Sequence, residues 1–144
     1  ALQFQKASTT DEEMWSQALL ARNLLGAGDL QQAQSAVSKA MALLPQTAGR
    51  SARFETTLAE ARVNAKSGKW AQAREELESM LISARKFGYR PYEYQARLAL
   101  AEIDLWAGSA SAPEHLAALE RDARAQGFLL IANQAHALAK EHRK

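Results

Sequence analysis

Residues 14–45 read MWSQALLARNLLGAGDLQQAQSAVSKAMALLP. Two apolar stripes flank a Gly-Asp dipeptide. On the first, Met14, Ala18, Ala21 and Leu25 recur at intervals of three and four; on the second, Leu30, Ala33, Val37, Ala40, Met41 and Leu44 do the same. That spacing puts each set on one face of a helix. Gly28-Asp29 forms the turn, because glycine ends a helix in a left-handed conformation that other residues resist. Pro45 stops the second helix, since proline lacks an amide and disfavours helix in the residue before it. A lone pair of short helices cannot bury both stripes, so the fold rests on what the rest of the chain supplies.

The rest of the chain supplies the same unit again. Gly28, Gly68 and Gly108 are 40 residues apart. Counting back from them, Met14, Phe54 and Tyr94 share one bulky position, and Ala18, Leu58 and Leu98 the next. Ala21, Ala61 and Ala101 mark a small position where two helices must approach closely, and Leu25, Ala65 and Leu105 complete the stripe. The second helices repeat more loosely: Ala33, Val37 and Ala40 match Ala73, Leu77 and Met80, and the third copy carries Leu116 and Leu119, shifted by one residue. Copies two and three end alike, Ala84-Arg85 before Gly88-Tyr89 and Ala123-Arg124 before Gly127-Phe128.

Boundaries follow from local signals. Thr10-Asp11-Glu12-Glu13 reads as a capping box opening the first helix, which runs to about Gly26. The third helix starts between Ala48 and Ser51 and ends at Ser67-Gly68. The fourth carries Trp70, Ala73, Leu77, Met80, Leu81 and Ala84 as one stripe and stops at Gly88. Pro91 sits in the first turn of a fifth helix closed by Gly108, and Pro113 opens a sixth ending near Gly127. Phe128 to about His142 forms a seventh, with Phe128, Leu129, Ile131, Ala132, Ala135, Leu138 and Ala139 as its apolar face and Lys140, His142, Arg143 and Lys144 at its end. The expected architecture is all-α: helix pairs over about 10–47, 48–88 and 91–127, and a capping helix over about 128–142.

Composition agrees. The chain is 47% hydrophobic, which excludes a wholly disordered polymer, and 31 of its 144 residues are alanine. Seven glycines and three prolines are too few for the turns of a β-sandwich. The net charge is +2, and the densest basic stretch, Arg50 to Arg90, mixes nine cations with five glutamates, so a nucleic-acid-binding stripe is not expected. Without cysteine there is no thiolate site. The longest apolar run, Phe128 to Ala132, is far too short for a membrane span, and the start has no signal-peptide pattern. Opening on Ala-Leu-Gln-Phe, the chain reads as a segment of a longer protein.

No catalytic constellation emerges. Ser83-Ala84-Arg85-Lys86 matches a bare Ser-x-x-Lys inside a helix, and the carboxylates of Glu75-Glu76-Leu77-Glu78 fan round one. His136 and His142 lie on different helix faces, and His115 is isolated, so no metal site is expected. Neither an enzyme nor a cofactor is expected. Met14, Phe54, Tyr94 and Trp70 read as core, whereas Trp15 and Trp106 fall outside the apolar register and suit binding anchors, inter-repeat packing or contact with a further domain.

Copy one resembles the tetratricopeptide repeat (TPR) in Ala21, Gly28-Asp29, Ala33, Val37, Ala40 and Pro45. Copy two follows through Ala61, Gly68-Lys69, Trp70, Ala73 and Leu77 but has Met80 at a small position; copy three keeps Ala101 and Gly108. The period of 40 exceeds that family's usual length and is similar to longer repeats in bacterial multidomain regulators. The resemblance implies a right-handed α-α superhelix whose first helices line a concave groove for a peptide or helix. It places Trp15, Arg22, Arg62, Lys66, Glu102 and Trp106 in that groove, with Arg22, Arg62 and Lys66 as a basic strip for a carboxylate or acidic segment. Ala18 and Arg22 stand where a chaperone-binding carboxylate clamp has other residues, which disfavours that partner. The implied role is a cytoplasmic, non-enzymatic protein–protein interaction module, the scaffold or sensor region of a larger signalling protein. Its partner would be a protein or peptide, another domain of the same chain, or a second copy in a homodimer. Small-molecule sensing and self-association are the competing classes.

Overall fold

The computed structural model describes residues 2–44 and 49–142. Among these every regular element is a helix, in the order α1 (Leu2–Gly26), α2 (Leu30–Ala42), α3 (Arg50–Lys66), α4 (Trp70–Phe87), α5 (Arg90–Trp106), α6 (Ala112–Ala125) and α7 (Leu129–His142). The chain forms two compact units, residues 1–73 and 74–144, with α4 crossing the boundary.

The repeat is visible in backbone hydrogen bonds. Gly28, Gly68 and Gly108 adopt φ of 82°, 84° and 73°. The amide one residue later donates to a carbonyl five residues back in each case: Asp29 to Leu24 (2.8 Å), Lys69 to Asn64 (2.8 Å) and Ser109 to Asp104 (2.9 Å). The glycine amide itself donates to Leu25, Ala65 or Leu105. These are Schellman stops, which satisfy carbonyls that a helix end leaves without intrahelical donors. Gly88 and Gly127 close α4 and α6 in the same way, the Tyr89 amide reaching Ala84 (2.9 Å) and the Phe128 amide reaching Ala123 (2.8 Å). Asp29 also starts α2, its carboxylate accepting from the Gln32 amide at 3.1 Å.

The expected stripes are buried. Met14, Ala18 and Ala21 are inaccessible to solvent, and so are Leu58 and Ala61; Leu98 and Ala101 are nearly so. In the first unit Ala18 and Ala21 pack with Ala33, Ala36 and Val37 of α2 and with Ala59 and Val63 of α3, while Met14 joins Ala40 and Ala52. In the second, Tyr94, Leu98 and Ala101 meet Leu116, Leu119 and Ala123 of α6 and Ala132 and Ala135 of α7. In the first unit α1 thus lies on α2 with α3 covering the pair, and in the second α5 lies on α6 with α7 covering the pair.

Three expectations are corrected. α1 begins at Leu2, so Thr10 is a buried interior residue and not a cap; a capping-box sequence caps only where the preceding chain leaves the helix, and here it continues. Asp11 instead lies against Gly49, the N-cap of α3, which has no side chain of its own to cap with, and a Cβ at residue 49 would overlap the Asp11 carboxylate. Trp70 is not core: it is 40% exposed, anchored by its indole N–H donating to the Ala65 carbonyl at 2.9 Å. Leu129, expected on the apolar face of α7, is exposed because that face centres on Ala132 and Ala135. The stop at Pro45, the repeat boundary at 47/48 and the basic end Arg143-Lys144 lie outside the described residues.

One surface pair gives a pH signature. Arg97 Nη2 donates to Asp122 Oδ2 at 2.9 Å and holds that carboxyl below the ordinary carboxylate range, with the charges of Arg97 and Arg121 adding to the effect. A depressed folded-state value means the contribution to stability is present above the unfolded-state value and is lost as pH falls through the folded one. Between about pH 5 and pH 2, Asp122→Asn should flatten part of the decline in melting temperature. Identical slopes for parent and variant would remove Asp122 as a contributor.

Candidate functional site

Four of the six residues expected to contact a partner lie in the first unit. Trp15 and Arg22 are two turns apart on one side of α1, and Arg62 and Lys66 one turn apart on α3. α1 and α3 pack side by side through Ala18, Ala21, Ala59 and Val63, and the equivalent positions of the two helices therefore sit near one another. Trp15, Arg22 and Arg62 are half-buried and Lys66 is exposed.

This strip is not uniformly basic. Glu55, the α3 counterpart of Trp15, is 5% exposed, and its Oε2 lies 3.4 Å from Arg22 Nη1. Moving a carboxylate out of water is costly unless a cation accompanies it. Arg22 is that cation, so its charge is committed within the fold. Of the three cations expected in the strip, Arg22 faces Glu55, Arg62 is half-buried and Lys66 is exposed.

Glu102 and Trp106 lie in the second unit, one turn apart at the end of α5. Glu102 is half-buried and Trp106 is 37% exposed.

One polar cluster joins three helices in a way the sequence does not announce. Asp104, in the last turn of α5, is 4% exposed. Its Oδ1 lies 2.7 Å from Arg74 Nη2 of α4, and its Oδ2 lies 2.9 Å from His115 Nδ1 of α6. One buried carboxylate therefore fastens three helices. The repeat carried a faint signal of it, since the same position holds Leu24, Asn64 and Asp104 in the three copies, a charge where the first copy has an apolar residue. His115, read as isolated, acquires its partner only in three dimensions. The hydroxyls of neighbouring Ser109 and Ser111 are bonded to each other at 3.0 Å. The imidazole and carboxylate thus act as a helix fastener and align no nucleophile among the described contacts.

His136 also has a partner. Its Nδ1 lies 2.6 Å from Glu120 Oε1 of α6, which Arg124 approaches at 3.4 Å. The pair lines a cavity of about 320 Å³ between α6 and α7, together with Leu116, Ala117, Ala135 and Lys140.

Among the described residues no group of three or more histidine, aspartate or glutamate side chains is placed to hold a metal ion, and no helix is long and apolar enough to cross a membrane. Comparison of the chain with protein families, with curated proteins and with solved structures finds no match.

Proposed function

We propose that the chain is a non-enzymatic protein–protein interaction module, a TPR-like scaffold or sensor region of a larger bacterial-type signalling protein. In the proposed arrangement the helix pairs follow one another in a right-handed superhelix, with the first helices turned toward a peptide or helix of the partner. One observation supports this reading above the others. The backbone stops and buried stripes recur every 40 residues, while side chains at fixed offsets outside the stripes change freely. Trp15 gives way to Glu55 and Gln95, Arg22 to Arg62 and Glu102, and Gly26 to Lys66 and Trp106. A constant frame with variable positions along one side of successive helices is how repeat arrays present an adaptable surface.

In the first unit the chemistry favours an acidic segment. Lys66 is exposed on α3, and Arg62 and Trp15 are half-buried, so two cations and an aromatic side chain share this side of the unit. Arg22 is a poor residue with which to test this, because removing it strands the buried carboxylate of Glu55. Lys66→Glu is the better probe. Peptides selected on the chain from a random displayed library should be enriched in Asp and Glu. They should bind Lys66→Glu at least tenfold more weakly, with an unchanged melting temperature. Peptides lacking acidic enrichment, or binding indifferent to the substitution, would reject the reading.

A further inference from the structure

We infer that α4 carries a self-complementary face on which a second copy of the chain docks, the two α4 helices lying antiparallel across a two-fold axis between Ser79 and Ile82. The surface is separate from the α1–α3 strip and does not depend on the reading of that strip. α4, flanked in the chain by α3 and α5, has two unlike sides. Ala73, Leu77, Met80 and Ala84 are buried at intervals of three and four. The opposite side repeats those intervals with Glu75, Ser79, Ile82 and Lys86, all exposed, and Glu78 and Arg85 stand exposed beside them. Ile82, in the middle of this stripe, keeps 67% of its surface in solvent.

The charges along the stripe divide by sign. The first half is acidic: Glu75 and Glu78 make no ion pair among the described residues, and the exposed residues around them, Ala71, Gln72 and Ser79, are uncharged. Arg74, next to Glu75, is held by the buried carboxylate of Asp104 at 2.7 Å. The second half is basic. Arg85 is met by Glu93 of α5 at 3.4 Å, but Lys86 and Arg90 keep their charges. Lys86 lies over the Phe87 ring at 5.4 Å, and Arg90 donates to the neutral Gln126 side chain at 2.6 Å. Compensation of the helix dipole explains basic residues in a last turn, but at the other end it acts on the first turn. There α4 has no acidic residue, and Glu75 and Glu78 fall beyond it. Nor does the dipole account for an exposed isoleucine between the two halves.

A helix that fits this stripe antiparallel carries acidic residues in its own first half, basic ones in its second and an apolar residue between them. α4 is itself such a helix. With Ser79 opposite Ile82 of the second copy, Glu75 stands opposite Lys86 of that copy, and the two-fold axis repeats each contact. The two isoleucines then flank the axis, about 5 Å apart along it, and can pack on each other out of water. A parallel arrangement in register sets Glu75 against Glu75 and Lys86 against Lys86, which like-charge repulsion disfavours. Charge thus sets the orientation, and Ile82 supplies the desolvated centre. One helix face is smaller than the standard interface of a stable complex, so the dimer is weak and reversible.

Sedimentation equilibrium of the intact chain, from micromolar to millimolar concentration, should show a reversible monomer–dimer equilibrium that weakens as salt is raised. Ile82→Asp should raise the dissociation constant at least tenfold, and Glu75→Lys and Lys86→Glu should each raise it several-fold. All three side chains are exposed, so circular dichroism and the melting temperature at low concentration should be unchanged. The deciding sample is an equimolar mixture of Glu75→Lys with Lys86→Glu. Each variant alone sets like charges opposite one another, whereas the mixed pair sets unlike charges at both ends and should dimerise at least as tightly as the parent. A parent that stays monomeric to millimolar concentration would overturn the inference, as would a dimer untouched by Ile82→Asp. A mixture that associates no better than its components would refute the antiparallel pairing, and the proposal with it.

Discussion

Replacing Leu116 with alanine should destabilise the second unit by about 2–5 kcal/mol, the range for truncating a large side chain in a packed interior. Leu116 is wholly inaccessible and sits where α5, α6 and α7 share one cluster with Tyr94, Leu98, Ala132 and Ala135. Four of the seven other buried members of that cluster are alanines, whose side chains are too short to refill the space. The expected result is a local one. Helical-repeat stability is close to a sum of unit and neighbour terms, so hydrogen exchange should accelerate in α5, α6 and α7 while α1–α3 amides keep most of their protection. Uniform acceleration along the chain would show that the two units unfold as one. A loss below about 1 kcal/mol would show that the cluster collapses around the gap.

The second large effect concerns the carboxylate that ties α4, α5 and α6. Arg74→Ala leaves Asp104 buried with only His115 at hydrogen-bonding distance. Breaking a fully buried pair costs roughly 3–5 kcal/mol; Arg74 keeps 40% of its side-chain surface, and solvent screening lowers the expectation to about 2 kcal/mol. The informative comparison is with Arg74→Ala combined with Asp104→Leu, which removes the charge as well as its partner and fills its space. That double variant should recover most of the loss in chemical denaturation. If it is as unstable as the sum of the two single variants, the carboxylate and guanidinium are energetically independent and the fastening role is refuted.

Much of the frame was legible because it is written locally. A glycine at a helix end, an aspartate after it and alanines at intervals of three and four each act within one or two turns. The stops at Gly28, Gly68, Gly88, Gly108 and Gly127, and the buried Ala21, Ala61 and Ala101, follow from such signals. The start of α1 was not legible, because Thr10-Asp11-Glu12-Glu13 has the composition of a cap and only the conformation of residues before it decides whether it acts as one. Trp70 was placed in the core by spacing alone, but it lies at the first residue of α4, where the indole turns back to the end of α3.

The polar contacts were the least visible, for a geometric reason. Arg22 with Glu55, and Asp104 with Arg74 and His115, join different helices. No periodicity within one helix reports which charge a neighbouring helix will bring alongside. The repeat helped only where it was broken. Asp104 stands at a position held by Leu24 in the first copy, and Glu55 at one held by Trp15. Departures of that kind, a charge where the first copy has an apolar or aromatic residue, are where a buried partner is to be sought.

The five glycine stops bear on how such a chain can lengthen. Each is closed by hydrogen bonds to its own helix, so it travels with that helix and needs no change elsewhere. Duplication or loss of a whole coding segment between equivalent glycines leaves every downstream stripe in phase, and the cost falls on the two new junctions alone. A single-residue slip is absorbed at a turn: Gly88 and Gly127 are 39 residues apart, yet both end their helices with the same hydrogen-bond pattern, because the slack is taken up between Gly108 and Pro113. Substitution can then proceed in one pair at a time, with the neighbouring copies serving as an unchanged template.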